Sequence, residues 1–432
     1  MMLTMRAALL GLVVLVVAGT LRCVCAEEPA SGNNFDGIDP KHDWPWWRGP
    51  NLDGAAVDGP LPPLRWSEKE NIAWNVPIVG RGHGSPTVVG EHVYIVTADL
   101  EAEVQALECY DRKTGKSLWK TPVHQGNFDK KENAKSSHAS ISPACDGKRI
   151  FVSFLNHGAI WATAFTREGK QIWQTKVGDF VNHQGYAASP LLWGPLVIIN
   201  ADNKGGGSMC GLDRATGKEV WHVDRPKKPN YPSPVVHHID GKDQLIMTGC
   251  DMVSSFDPLT GSTLWEHEGA TTECVISTVT DGVRIFTSGG YPKNHVSAMR
   301  ADGSGAVEWE NNSRIYVPSM IYHDGYLYGV LDAGVAVCWK SDTGADAWKG
   351  RMNGTFSSSL VRVGEYLMAT NEEGNTFVFK ANPKKYEPVP QNKLGDETFS
   401  TPVVVDGCIY HRYIKMIDGK RQEFLACIAA PK

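Results

Sequence analysis

The chain has 432 residues, 42% of them hydrophobic and 21% charged, with a formal net charge of −5. That balance excludes a basic phosphate-binding domain, and with it a nucleic-acid partner. The apolar content excludes wholesale disorder.

The chain opens like an export leader. Arg6 precedes the apolar run 7–18, and Val24-Cys25-Ala26 ends in a small residue. A positive charge, a short apolar core and a small-residue cleavage point describe a secretory signal over residues 1–26, cut after Ala26. The run is shorter than the roughly 20 residues a membrane span needs, and no later stretch reaches that length. The mature chain is therefore expected to be secreted or periplasmic, with no transmembrane span. Leu21-Arg22 before Cys23 lack the small residues of a lipid-anchoring signal. Residues 27–43 read as a dispensable polar linker. Residues 44–65 form a Trp-rich segment that contains Trp44-Pro45-Trp46-Trp47.

From residue 66 to 430 a repeat dominates. Tyr110-Asp111-Arg112-Lys113-Thr114-Gly115-Lys116-Ser117-Leu118-Trp119 returns as Leu212-Asp213-Arg214-Ala215-Thr216-Gly217-Lys218-Glu219-Val220-Trp221, and again at Phe256–Trp265. Weaker copies end at Trp173, Trp309 and Trp348, and Trp74 begins the series. Successive Trp residues stand 39–54 positions apart. Between them Ser85-Pro86, Ser142-Pro143, Ser189-Pro190, Ser233-Pro234 and Thr401-Pro402 each lead into an apolar run and a Gly, often as Asp-Gly. Asp-Gly and Thr-Gly supply the positive φ of tight hairpin turns. Each unit therefore reads as four short strands, and four strands every 40–50 residues mark a propeller blade.

Blade starts near 85, 142, 189, 233, 277, 319, 359 and 401 make eight. The last unit has three strands and no Trp strand, whereas Ile72-Ala73-Trp74-Asn75-Val76 is a Trp strand with no blade before it. The expected fold is all-β: an eight-bladed β-propeller of four-stranded antiparallel blades, closed by the N-terminal strand, which leaves no bare edge. The seventh unit lacks Trp and offers Tyr386 near that position. One Trp per blade is expected to pack between neighbouring sheets.

The phrase aliphatic-x-Asp-x-x-Thr-Gly-Lys-x-x-Trp, with Ser-Pro and Asp-Gly before it, resembles the pyrroloquinoline quinone (PQQ) repeat. That repeat builds the quinoprotein alcohol dehydrogenases and the BamB-like outer-membrane assembly propellers. Trp44-Pro45-Trp46-Trp47-Arg48-Gly49-Pro50 resembles the start of secreted PQQ-like propellers of unassigned role. In catalytic members the resemblance implies PQQ held between a Trp and a disulfide of adjacent Cys, with Ca²⁺ on Glu, Asn and Asp. This chain has no Cys-Cys pair. Trp161, Trp193 and Trp339 form no recognisable floor for the cofactor, and no C-x-x-C-H haem motif is present. No cofactor is firmly implied, and no metal site is assigned.

Once the leader is removed, eight cysteines remain: 109, 145, 210, 250, 274, 338, 408 and 427. An even count in an exported chain permits disulfides, but without a CxxC the expectation is mostly buried thiols, and no pair is assigned. P-loop, G-x-S-x-G and H-E-x-x-H signatures are also missing.

The two hairpin turns of a blade share one face, and the variable connections share the other, where function usually sits. There His83, His138, His183, Tyr231, Glu273 and Tyr316 precede the inner strands, and Asp99, Asp202, Asp251 and Asp332 follow the second strands. These ten are the candidate ligand-binding residues. The leading expectation is an exported, non-catalytic binding platform for an envelope or secreted protein, or for a polar small molecule. The alternative is a PQQ- or metal-dependent oxidoreductase of an alcohol, a sugar or a related compound.

Overall fold

Asp240-Gly241, Asp324-Gly325 and Asp406-Gly407 all sit at positive φ, between 48° and 81°. Two consecutive left-handed residues let a two-residue loop follow the twist of its flanking strands, so each of these dipeptides folds an inner strand back onto its neighbour. The computed structural model describes residues 32–129, 133 and 135–431. The leader read at 1–26 lies outside them. Within the unit Asn33–Lys432, the strands form eight four-stranded antiparallel sheets among the described residues. The chain is an eight-bladed β-propeller, and each expected Ser-Pro-type start opens one blade.

Blade 1 comprises Thr87–Val89, His92–Asp99, Val104–Asp111 and Ser117–Gln125. Its second and third strands are buried along nearly their whole length, and the outer strand is mostly exposed. Neighbouring sheets cover both faces of the inner strands, which explains their continuous apolar runs. Blade 8 takes Val403–Val405, Cys408–Ile417 and Lys420–Ile428 from the C-terminal end, and Ile72–Ile78 from the N-terminal end. Trp74 stands opposite Cys427, Asn75 opposite Ala426 and Val76 opposite Leu425. The N-terminal strand closes the ring.

The repeated Trp is a clasp between blades. The Trp74 indole donates to the Arg112 carbonyl (2.9 Å), Trp119 to Arg167, Trp173 to Arg214, Trp221 to Pro258, Trp309 to Ser341 and Trp348 to Asn382. Each ring lies on the turn of the following blade. Gly115 holds φ +70°, and a Cβ there would meet Trp74 at 2.6 Å, so this turn needs glycine for conformation and for space. Trp265 departs from the pattern and bonds Gln244 of its own blade at 2.8 Å. Blade 7 ends in the two-residue strand Asn392–Lys393. Tyr386 lies ahead of it, packed on Trp348 and Phe379 with ring centroids 5.5 and 5.3 Å away. Pro383, Pro388 and Pro390 interrupt the ladder there by removing donors.

The segment read as a polar linker differs from that expectation in its described part. Phe35 is buried edge-on against Trp46 at 5.7 Å, with the Arg214 guanidinium 4.3 Å over its ring. The buried Asp43 carboxylate accepts the Gly90 N–H at 2.7 Å. One aromatic and one well-placed carboxylate suffice to dock an otherwise polar stretch.

Burial also sets an acid limit on the fold. His411 is 2% exposed, and burial lowers its pKa to about 4, as it does for His124, His237 and His295. The unfolded chain takes up these protons near pH 6.5, and the folded chain not until about 4. The stabilisation is complete above pH 6.5 and declines as pH falls toward 4, by up to about 1.4 kcal/mol per pH unit for each histidine. Thermal midpoints are expected to drop between pH 7 and pH 5, and His411→Phe should reduce that drop. An equal drop in the variant would remove His411 from the account.

Candidate functional site

The inner strands converge on the propeller axis, and their opening hydroxyls connect the blades. The Ser85 N–H donates to Ser142 Oγ (3.0 Å), Ser142 to Ser189, Ser189 to Ser233, Ser277 to Ser319, Ser319 to Ser359, and Ser359 to Thr401. The residues that mark blade starts in sequence thus form a collar in space. Ser, rather than a larger residue, fits where eight strands crowd together.

Trp47 forms the floor. Its segment lies across the hairpin-turn face: Trp44 pairs with Val88, and the Cys145 N–H donates to the Pro45 carbonyl at 2.8 Å. The buried Arg48 guanidinium donates to the Met320, Leu360 and Asp53 carbonyls at 2.8–2.9 Å. So anchored, Trp47 donates from Nε1 to Ser277 Oγ at 2.8 Å.

Above the floor is a cavity of about 450 Å³. Collar residues Ser85, Ser142, Ser189, Ser233, Ser359 and Thr401 line it together with Trp47, His83, Tyr186, Tyr231, Tyr316, Phe356 and Phe399. His83 stacks on Phe399 at 4.4 Å. Burial, with Arg81, Arg412 and Arg421 nearby, holds the His83 pKa well below its ordinary value, so the ring is neutral. Its Nε2 and the Tyr231 hydroxyl have no hydrogen-bond partner among the described residues. The rim carries two ion pairs. Lys135 Nζ lies 2.8 Å from Glu372, which also accepts from Ser357 Oγ at 2.7 Å. Arg314 lies 2.9 Å from Asp332, which accepts the Tyr316 N–H at 2.8 Å.

Of the ten candidate residues, His83, Tyr231, Tyr316 and Asp332 line this cavity. Glu273 stands behind the wall, where its buried carboxylate accepts from Tyr316 Oη (2.8 Å) and faces His183 Nε2 (3.4 Å). His138 packs against Phe128 at a tilt, ring centroids 4.5 Å apart, beside a small adjoining hollow. The other three acids brace loops. Asp99 caps a turn through the Glu101 and Ala102 N–H groups. Asp202 is buried against Arg225 at 3.0 Å and Asn230 at 2.9 Å. Asp251 holds Lys228 at 2.5 Å and the Thr272 hydroxyl at 2.7 Å. Sequence reasoning missed Trp47, Lys135, Tyr186 and Arg314. For Trp47 a signal existed: three tryptophans within four residues, outside the repeat.

Eight blades of this repeat around a collared axial cavity define a PQQ-repeat β-propeller. A family model described as outer membrane protein assembly factor BamB matches residues 102–350, and the chain belongs to that family. A tetrathionate hydrolase of Acidithiobacillus ferrooxidans is 22% identical over 385 residues, covering 78% of this chain and 64% of that protein. The chain thus spans about 64% of the length of that curated relative. Among solved structures, a europium-containing methanol dehydrogenase is similar with a TM-score of 0.65, at 11% identity over 90% of this chain and 98% of that one. BamB from Moraxella catarrhalis is similar with a TM-score of 0.56, at 13% identity over 82% of this chain and 96% of that one. At such identities the likeness is one of fold.

Proposed function

We propose that the chain is a non-catalytic binding propeller whose axial cavity takes a neutral, polyhydroxylated small molecule of mono- or disaccharide size. One observation supports this reading: among the described residues each charged side chain lining the cavity is paired, Lys135 with Glu372 and Arg314 with Asp332, above walls of aromatic rings and hydroxyls. A sugar offers C–H faces to rings such as Trp47 and Tyr186. Its hydroxyls both donate and accept, so they bridge ion-paired side chains without separating them. A dianion such as tetrathionate, the compound in the hydrolase's name, would gain Lys135 or Arg314 only by leaving Glu372 or Asp332 uncompensated.

The donor set also argues against a PQQ–Ca²⁺ pair, the arrangement that the dehydrogenase resemblance implies. Trp47 is present in the lining, but among the described residues no cysteine lines the cavity. Among the described residues no three His, Cys, Asp or Glu side chains converge to hold a metal, whereas Ca²⁺ asks for six or more oxygens. The leader read over 1–26 in the sequence supports a location outside the cytoplasm, periplasmic or secreted.

Calorimetry with neutral mono- and disaccharides, tetrathionate, and PQQ with Ca²⁺ tests the proposal. A neutral sugar is expected to bind with one site per chain. Trp47→Ala should abolish that binding, and Tyr231→Phe should weaken it about three- to tenfold, the value of one hydrogen bond. Binding of tetrathionate or PQQ in place of any sugar would overturn it.

A further inference from the structure

Glu273 stands just behind the cavity wall, where it is buried without a fixed counter-charge. Its side chain is 6% exposed, and among the described residues no lysine or arginine pairs with it. Burying a carboxylate in this way costs stability, so its partners are informative. Oε2 accepts the Tyr316 hydroxyl at 2.8 Å, and Oε1 faces His183 Nε2 at 3.4 Å. Tyr316 lines the cavity, whereas Glu273 does not. The rest of Tyr316 is held as well. Its backbone N–H donates to Asp332 at 2.8 Å, and the Arg314 guanidinium lies 5.4 Å over its ring. Gly290 leaves the ring its room, since a Cβ there would meet Tyr316 Cβ at 2.6 Å. Burial and the adjacent carboxylate raise the pKa of the hydroxyl, so it keeps its proton.

A carboxylate only accepts, so the proton in this pair comes from Tyr316. A phenol has a single proton. Once that is committed to Glu273, the Tyr316 oxygen has only lone pairs left for the cavity. We propose that Glu273 is a positioning residue that fixes Tyr316 as a hydrogen-bond acceptor. The cavity then selects a guest that carries a hydroxyl donor at this point over one that carries an ether oxygen or a fluorine there. The nature of the guest rests on the sugar reading above; the state of Tyr316 does not. Hydrogen bonds to ionised groups are stronger than neutral ones, so a guest's ether oxygen does not win the proton from Glu273. The neighbouring Tyr231 differs. Its backbone N–H donates to the Cys274 carbonyl at 3.0 Å, but its hydroxyl has no partner among the described residues and can give or receive. Two tyrosines of one cavity thus make different demands, and the difference is set by an acid outside the lining.

The first measurement needs no guest. The Raman doublet of a tyrosine separates a donating phenol from an accepting one, and subtracting the spectrum of Tyr316→Phe from that of the wild type isolates Tyr316. A donor-type doublet is expected, and it should be lost in Glu273→Leu. An acceptor-type doublet in the wild type would overturn the proposal. The second measurement is calorimetry with the tightest-binding neutral sugar and its monodeoxy and monofluoro analogues. The position that meets Tyr316 is the one whose deoxy penalty disappears in Tyr316→Phe. There both analogues should bind the wild type about three- to tenfold more weakly than the parent, because neither offers a proton. In Glu273→Leu the fluoro analogue should regain part of that loss, since Tyr316 is then free to donate. A fluoro analogue as tight as the parent in the wild type would overturn the proposal, as would the lack of any position sensitive to Tyr316. The doublet and the analogue series are read on the wild-type site, so they stand whether or not Glu273→Leu folds. A donor-type doublet with no sugar bound at any concentration would sink the sugar reading and leave the role of Glu273 toward Tyr316 intact.

Discussion

A chain beginning at residue 77 is expected to aggregate or fail to fold, the largest effect of any change considered for this protein. It loses residues 72–76 of the strand Ile72–Ile78, and with them most of the ladder to Lys420–Ile428. It also loses the Trp74 indole, 8% exposed, from its seat on the blade 1 turn. Truncating a buried Trp costs about 3–5 kcal/mol by itself, against a total domain stability of about 5–15 kcal/mol. The exposed edge of Lys420–Ile428 would then be open to pairing with another chain. Arg48 and Trp47 leave with the same segment. A chain beginning at residue 44 should remain folded with a midpoint lowered by a few degrees, because it gives up Phe35 and the Asp43 carboxylate. Size-exclusion profiles and thermal midpoints separate the cases. A monomeric product with unchanged midpoint from the shorter chain would mean that the N-terminal strand does not close the ring.

Glu423→Ala should be the most damaging single substitution. Glu423 and Arg412 are 2% and 1% exposed as side chains, with Oε2 lying 2.7 Å from Nε and 2.6 Å from Nη2. Arg412 also donates from Nη1 to the Val96 carbonyl at 2.7 Å, and the Gly82 N–H reaches the Glu423 carboxylate at 3.2 Å. The pair therefore fastens blade 8 to blade 1 from the inside. Removing the carboxylate leaves a buried guanidinium without its counter-charge, at a cost of about 3–5 kcal/mol. Arg412→Met combined with Glu423→Leu should restore most of that loss, because a matched apolar pair strands no charge. Denaturant midpoints of the single and double variants give the comparison. A single variant within about 1 kcal/mol of wild type would show that water reaches the site and solvates Arg412.

The fold was legible because its determinants are local and repeated. Asp-Gly, Thr-Gly and the blade Trp each act within a few residues, and blade 8 advertised its missing strand by stopping after Phe424–Ile428. The site was legible only in part. His83, Tyr231 and Tyr316 stand at short offsets ahead of the inner strands, and that register carries them to the cavity. Asp202, Asp251 and Asp332 occupy equivalent places in their blades. Arg225 and Lys228 hold the first two against loops, while the third, tied to Arg314, stays at the rim. Register alone does not separate them, because the deciding cation comes from elsewhere in the chain. Trp47 lies outside the repeat altogether. Its position follows from Arg48 finding carbonyls in blades 6 and 7, more than 270 residues away.

The seryl collar gives the cavity a chemical polarity. A hydroxyl has one proton to give and two lone pairs to receive with. In the linked blades, one lone pair of each collar oxygen is occupied by the backbone N–H of the preceding blade. The hydroxyl proton of each such residue is not used in these bonds. The collar residues that line the cavity can therefore offer hydroxyl protons to a guest, whereas the rim presents Asp332 and Glu372 already engaged by Arg314 and Lys135. A guest bound as proposed is expected to turn an ether or carbonyl oxygen toward the collar, because an acceptor is what a free hydroxyl proton selects.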